Sequence, residues 1–326
     1  MYVVMKTAAL RDGSQAELGI VTAPDAEHVG EFSSFYMHKP EYWLWPVEAP
    51  LKGLCGELES RFYVAKAGGR VVSAIMIHEC WGAGTIAHVY TLPAWRGKGL
   101  ASQIMDMAVA DFDGRGGRVI YLGTGYNTQP YRIYQRYGFA SIKPESGKMV
   151  RVKSETTLQE MFAPGDCRVA DVAWRHYPLL TPLAAAPGAG LRSRLLMDLG
   201  AGFEYGSFEA AFLKVYAQAL MGKAVMKVLE APGRCVAGWA TLAPRWCDGA
   251  EGWLLDFHTH GNFADKAEAL ARALPSRPEP VYAYVTSGAE AKVPLLKRLG
   301  FVEETPAREW AGNEGEVVAW SRYVKA

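Results

Sequence analysis

No stretch of this chain approaches the roughly 20 consecutive apolar residues that span a bilayer. The opening run Tyr2 to Met5, broken at Lys6, is too short for a secretory apolar segment, so a cytoplasmic location is expected by default. Charge of one sign is equally scarce. The 35 Lys and Arg against 34 Asp and Glu leave a net charge of +1, interspersed without blocks, which excludes the electrostatic footprint of a nucleic-acid binder or of a protein docking on anionic membrane. Cysteine is sparse too. Cys55, Cys80, Cys167, Cys235 and Cys247 are odd in number and widely spaced with no C-x-x-C pair, so neither a disulfide framework nor a zinc site is indicated. They read as small buried hydrophobes in a reducing compartment.

What is present is core material. Half of the 326 residues are hydrophobic and 12% are aromatic, and at roughly 100 to 200 residues per domain two cores are expected. Two stretches rhyme at about half the chain's length. Phe62 to Ile77 alternates apolar residues around a turn at Gly68-Gly69, and Val225 to Leu242 does so around Pro232-Gly233, each a hairpin. Arg118 to Gly123 and Pro280 to Val285 then read as buried strands. Each precedes a short helix ending in Gly-Phe, at Gly138-Phe139 and Gly300-Phe301, where glycine supplies the left-handed residue that stops a helix.

The chain therefore reads as a tandem α/β module, residues 1–155 and 166–326, with a boundary near Pro164-Gly165. Within the first copy, Ala16 to Thr22 is an opening strand, Asp25 to Met37 a helix capped by Asp25, and Gly84 to Leu92 a strand. Leu100, Ile104, Met107 and Ala108 mark one buried face of a helix over Gly99 to Phe112. Strands preceding helices in this order predict a mixed sheet covered on both faces.

The strongest local signal is Trp95-Arg96-Gly97-Lys98-Gly99-Leu100-Ala101-Ser102, between a buried strand and a helix's first turn. Converging N–H groups at a helix N-terminus suit an anionic phosphate. Glycine at a strand-helix joint also occurs for steric reasons alone, and the pattern by itself leaves both readings open.

Arg96-x-x-Gly99-x-Ala101 resembles the Q/R-x-x-G-x-G/A signature of the GNAT superfamily of N-acetyltransferases. Its lead-in Thr91-Leu92-Pro93-Ala94-Trp95 is similar to the family's, and a second family pattern is met by Asn127, Pro130, Ile133, Tyr134, Gly138 and Phe139. Ala101 stands for the commoner glycine and Pro130 for the commoner alanine. The resemblance covers residues 14–154 well and the C-terminal half in outline. It implies a tandem GNAT-like fold and acetyl-CoA as cosubstrate. By the same resemblance, backbone groups of Thr91 and Leu92 meet the pantetheine arm and thioester. The N–H groups from Arg96 through Gly97, Lys98, Gly99, Leu100 and Ala101 grip the pyrophosphate, with Ser102 at the rim, Asn127 at the pantetheine and Tyr134 at the sulfur. No metal is implied.

An acyltransferase follows, moving acetyl from acetyl-CoA to the primary amine of a small molecule or peptide by direct attack in a ternary complex. Tyr134 is the candidate acid, against its reading as a core aromatic beside Tyr131 and Tyr137. His88 and Glu79, on strands near Thr91, are candidate bases, and a water chain would serve equally. Asp12 to Ser60 is rich in carboxylates and holds Phe35, Tyr36, Tyr42, Trp43 and Trp45, an acidic and aromatic wall suited to a cationic amine or else an ordinary solvated face over an ordinary core.

The second copy lacks the loop pattern, with Ala289 at the place of Asn127 and Leu296 at that of Tyr134. It reads as degenerate and non-catalytic. His258-x-His260 offers two imidazoles on one strand face but no third ligand. A non-catalytic acyl-CoA sensor is the alternative, disfavoured by Tyr134, since a sensor needs no acid at the sulfur. The acceptor's identity, the acyl-chain preference and the oligomeric state, a homodimer included, are open.

Overall fold

A computed structural model describes residues 1–186, 208–244, 251–311 and 317–325; Cys247 lies outside the described residues. The chain divides into two compact units, Met1–Glu155 with Tyr177–Thr181, and Thr156–His176 with Pro182–Ala326. No helix among the described residues is long and apolar enough to cross a membrane.

Unit 1 opens with the hairpin β1 (Tyr2–Ala9) and β2 (Gln15–Thr22), followed by α1 (Val29–Phe35) and α2 (Glu41–Leu51). Three long strands follow, β3 (Glu59–Ala67), β4 (Arg70–Cys80) and β5 (Ala83–Thr91), then α3 (Leu100–Gly114) and β6 (Val119–Gly123). The unit closes with α4 (Gln129–Gln135), β7 (Ala140–Ser141) and β8 (Lys148–Val152). Its sheet runs β1-β2-β3-β4-β5-β6-β8-β7, and β5 with β6 is the parallel pair in it.

Strict alternation sends β3 and β4 into two cores. Tyr63, Ala65, Ile75 and Ile77 join Leu100, Ile104, Ala108 and Phe112 of α3 and Tyr131 and Tyr134 of α4. Phe62, Val64, Ala74 and Met76 join Phe32, Phe35, Tyr36, Val47 and Leu51 on the α1 and α2 side. Period-two side chains on strands buried on both faces make this unavoidable. The stretch Tyr177–Thr181 belongs here because the Tyr177 ring lies 5.5 Å from that of His78 and the Thr181 hydroxyl donates to the Gly84 carbonyl at 3.1 Å.

Unit 2 contains α5 (Thr157–Met161), β9 (Arg168–Asp171), most of α7 (Thr181–Ala185) and α8 (Phe208–Leu220), while α6 (His176–Leu179) falls in unit 1 but for its first residue. Then come β10 (Val225–Ala231), β11 (Cys235–Pro244), β12 (Trp253–Thr259), α9 (Ala267–Arg272), β13 (Val281–Thr286), α10 (Lys292–Arg298), β14 (Val302–Ala311) and β15 (Val317–Lys325). Read from β9, its sheet runs β9-β10-β11-β12-β13-β15-β14. That is the order of unit 1 without β1, and its parallel pair, β12 with β13, falls at the equivalent place. Both units are thus mixed α/β sheets with one topology.

The sequence did not anticipate β1. Val3, Val4 and Met5 are exposed, as is most of the strand, so it carries no alternation. Asp25 caps nothing; its carboxylate pairs with the Met1 amino group at 2.6 Å and the His28 ring at 3.0 Å, and the helical stretch begins as a 3-10 turn over Ala26–His28.

The two Gly-Phe helix ends are alike in detail. Gly138 and Gly300 have φ of +81° and +87°, and the N–H of Phe139 and Phe301 donates back to Tyr134 and Leu296 at 3.3 and 2.9 Å, the closing bonds of a left-handed helix stop. Gly138→Ala should lower the unfolding free energy by about 1–2 kcal/mol, the cost of a Cβ in that conformation, measured by urea denaturation; an unchanged midpoint would refute the left-handed stop.

Candidate active site

β5 and β6 are in register over only three pairs, Ala83–Val119, Gly84–Ile120 and Thr85–Tyr121, although β5 continues to Thr91 and β6 to Gly123. Beyond Thr85 the strands part. The far edge of β5 then has no ladder partner on that side, and buried backbone groups without partners are costly.

On its other side β5 stays paired with β4 but carries one extra residue, since Ala74 faces Tyr90 while Met76 faces Ala87. The extra residue falls at His88, whose φ is +54°, the geometry of a bulge. The Tyr36 hydroxyl, from the α1 end, donates to the His88 carbonyl at 2.7 Å and holds the bulge in place. Nothing in the sequence pattern marks Tyr36 for this, because the bond links residues 52 positions apart.

Beyond the bulge the Leu92 N–H donates to the Val72 carbonyl at 2.9 Å. Antiparallel ladders alternate, so Thr91, one residue back and opposite Ser73, turns its N–H and carbonyl away from β4 toward the parting. Its carbonyl there accepts a bond from Arg96 Nε at 3.0 Å. The Thr91 N–H therefore faces the parting. The Leu92 N–H instead serves Val72, and its carbonyl accepts from the Trp95 N–H at 2.9 Å.

The loop after β5 makes a 3-10 turn over Pro93–Trp95 and enters α3 through Gly97 and Gly99, with φ of +76° and +91°. A Cβ at Gly97 would touch nothing within 4 Å, and one at Gly99 would meet only Arg11, at 3.6 Å or more. Backbone conformation, rather than crowding by the protein, demands glycine at both. Among the described residues no acceptor meets the N–H of Gly97, Lys98 or Gly99, and the first N–H groups of α3 from Leu100, Ala101 and Ser102 lie beside them. Oriented donors at a helix N-terminus attract phosphate.

Three tyrosines cluster around α4, and their hydroxyls differ. That of Tyr131 bonds Ser141 Oγ at 2.8 Å, and that of Tyr137 lies 2.9 Å from the Ser102 carbonyl and 2.8 Å from Asp106. Tyr134 has a buried ring, edge-on to Phe139 at 6.2 Å, and a hydroxyl with no hydrogen bond among the described residues. Burial pushes its pKa up to about 12. Asn127 sits in the preceding loop at φ +55°, a conformation asparagine tolerates, and its side-chain carbonyl accepts from Arg132 at 3.1 Å.

The candidate bases separate. His88 is buried against Tyr36, ring centroids 5.4 Å apart, and edge-on to Trp43 at 5.8 Å, with both ring nitrogens enclosed and unbonded. Glu79 faces Gly84, at the opposite end of β5 from Thr91, about 20 Å away at roughly 3.3 Å per residue. Its carboxylate meets Arg115 at 2.5 Å in a network with Asp111 and Tyr63, whose hydroxyl donates to Asp111 at 2.6 Å. Glu79 is a structural ion-pair member, away from the loop.

The acidic wall disperses in the same way. Asp12 pairs with Lys98, Glu31 with Lys66 and the Val71 N–H, Glu48 with Lys52 and Ser33, and Asp25 as described. The aromatic part of the wall does converge, around His88 and Tyr90: Phe35 lies 5.3 Å from Tyr90, and His38 stacks on Tyr90 at 3.9 Å.

A family model described as acetyltransferase (GNAT) family matches residues 26–139. The matched stretch lies wholly within unit 1. No curated protein matches the chain. Among solved structures, the GNAT domain of PAT from S. lividans is 15% identical, with 45% of this chain and 96% of that one covered and a TM-score of 0.34. The GNAT family N-acetyltransferase YhbS from Escherichia coli, in complex with CoA, is 16% identical, with 47% and 87% covered and a TM-score of 0.35. A GNAT family acetyltransferase from Brucella melitensis, in complex with acetyl-CoA, is 17% identical over 41% and 88%, with a TM-score of 0.31.

Unit 2 treats the same parting differently from unit 1. Its β11 and β12 pair without a register shift, so the bulge is missing. Lys292 of α10 donates to Asp256 of β12 at 2.7 Å, both side chains buried, two residues past Leu254 where the pairing with β13 ends. Leu296, at the place of Tyr134, is fully buried. His260 stacks on Phe162 at 4.0 Å and accepts the Asn262 N–H, and no group of three or more His, Cys, Asp or Glu among the described residues could hold a metal.

Two enclosed imidazoles set a pH response in unit 1. Desolvation holds His78 down at about 3 and His88 well below the ordinary 6.5. The unfolded chain binds protons near 6.5 that the folded chain refuses, so stability falls as pH falls below 6.5. Each ring should contribute a slope approaching about 1.4 kcal/mol per pH unit, read by urea unfolding at pH 7, 6 and 5. A flat or rising stability over that range would show both rings to be hydrated.

Proposed function

We propose that residues 1–155 form an acetyl-CoA-dependent N-acetyltransferase domain acting on a primary amine of a small molecule or peptide, and that residues 166–326 are a degenerate GNAT-like partner that does not catalyse. The observation that carries this reading is the parting of β5 from β6, bordered by the outward Thr91 N–H, the free N–H groups of the loop and the Tyr134 hydroxyl, the one of the three around α4 without a hydrogen bond among the described residues.

In this reading the N–H groups of Gly97 to Ala101, with Ser102 at the rim, hold the pyrophosphate, and Asn127 meets the pantetheine. The amine nitrogen attacks the thioester carbonyl while the Thr91 N–H stabilises the oxyanion. As the C–N bond forms, the nitrogen becomes acidic and releases its proton to His88 or to solvent. Collapse breaks the C–S bond. Tyr134, protonated throughout the neutral range, gives its phenolic proton to the departing thiolate and regains one from solvent. The net proton movement is from amine to CoA thiol.

His88 lies among residues of the α1 and α2 face and Tyr134 within the α3 core. The sheet separates these faces except where β5 and β6 part, so amine and thiol can be served from opposite sides.

Acetyl-CoA should bind with one site per chain by calorimetry, because unit 2 has neither the bulge nor the loop; two equal sites would overturn the division of labour. Tyr134→Phe keeps the ring and deletes the hydroxyl, so acetyl-CoA affinity should hold while kcat drops on the order of 10²-fold. A variant as fast as the unsubstituted protein, with chemistry rate-limiting, would return Tyr134 to the core.

A further inference from the structure

β1, joined to β2 in a hairpin, is the strand addition that distinguishes the sheet of unit 1 from that of unit 2 among the described residues. The hairpin's turn folds over the glycine loop. The Arg11 N–H donates to the Lys98 carbonyl at 3.3 Å, the Asp12 carboxylate meets the Lys98 ammonium at 2.8 Å, and the Gln103 amide donates to the Ala9 carbonyl at 3.4 Å. The turn is braced within itself, since the N–H and hydroxyl of Ser14 donate to Asp12 at 3.1 and 2.6 Å.

This packing reassigns the charges around the loop. Lys98 is neutralised by Asp12 and lies over the Trp95 ring at 4.3 Å. Arg96 spends its Nε on the Thr91 carbonyl and lies over Tyr90 at 5.7 Å. Lys98 is thus neutralised, while Arg96 keeps its charge but is held against the end of β5. Arg11 is differently placed. Its side chain passes the open side of Gly99, with Nε 3.6 Å and Cγ 3.9 Å from the position a Cβ would take. No carboxylate among the described residues pairs with it.

We propose that Arg11 is a phosphate-binding residue of the acetyl-CoA site, its guanidinium brought by the hairpin from outside the motif to the mouth of the glycine loop. This rests on the reading of the loop as the acetyl-CoA site and adds to it a residue that no loop pattern contains. The forked donors of a guanidinium match two oxygens of one phosphate. Either the pyrophosphate or the ribose phosphate can supply them.

The test is calorimetric titration of the full chain with acetyl-CoA and with acetyl-dephospho-CoA, which lacks the ribose phosphate, for the unsubstituted protein, Arg11→Gln and Arg11→Lys. Arg11 is exposed and its backbone bond to Lys98 survives substitution, so melting curves should coincide. Arg11→Gln should weaken acetyl-CoA binding about 10-fold or more, the scale of a charge-assisted contact, and Arg11→Lys by less. The loss should shrink as NaCl is raised. A loss that persists with acetyl-dephospho-CoA assigns the guanidinium to the pyrophosphate, and one that vanishes assigns it to the ribose phosphate. Arg11→Gln binding acetyl-CoA within twofold of the unsubstituted protein overturns the proposal. An unsubstituted protein that binds no acetyl-CoA at all overturns the reading of the site, and the proposal with it.

Discussion

The brevity of one parallel pairing governs the rest of this structure. Once β5 has made three register pairs with β6 and diverges, its free edge must be left to a ligand or satisfied from within. Unit 1 keeps the edge open, with the bulge turning His88 toward the α1 and α2 face and the Tyr36 hydroxyl holding it there. Unit 2 meets the same constraint after only two register pairs. There β12 runs straight and a buried Lys292–Asp256 ion pair ties α10 to it. One strand order thus supports two local solutions, and the difference between them is a handful of polar side chains.

Enclosing both nitrogens of His88 without partners is expensive, since each buried unsatisfied group costs about 1–3 kcal/mol. The surrounding core is dense enough to hold it: Tyr36 is fully buried and packs on Phe32 and Phe35. A strained, underbonded residue at a bulge beside the parting of two strands is the kind of feature that persists where chemistry uses it.

What could be read from the sequence was whatever neighbours in the chain decide. The hairpins at Gly68-Gly69 and Pro232-Gly233, the helix stops at Gly138 and Gly300, and the glycine loop all depend on residues within a few positions of one another, and the two mixed sheets followed from their order. What escaped depends on distant partners. Glu79 looked close to the site along the chain, yet a hairpin carries it to the far end of β5, where Arg115 claims it. The carboxylates of residues 12–60 resembled a wall, and only folding reveals the cations each one meets. The Asp12-Gly13 turn was a fair hairpin signal, missed because β1 is exposed and lacks the alternation that identifies strands.

The polypeptide leaves unit 1 at Glu155, returns for Tyr177–Thr181, and leaves again. Those five residues lay a ring beside His78 and a hydroxyl on the carbonyl of Gly84, next to where β5 and β6 are paired. The apparent domain border near residue 155 is therefore no place to cut. A fragment ending there would uncover the histidine's face and leave the Gly84 oxygen without its donor, whereas one carried through Thr181 would retain both, at the expense of dragging along β9 without the neighbour it pairs with in unit 2. The two halves, alike in topology, alternate along the chain, so a cut that keeps every residue of one carries a piece of the other with it.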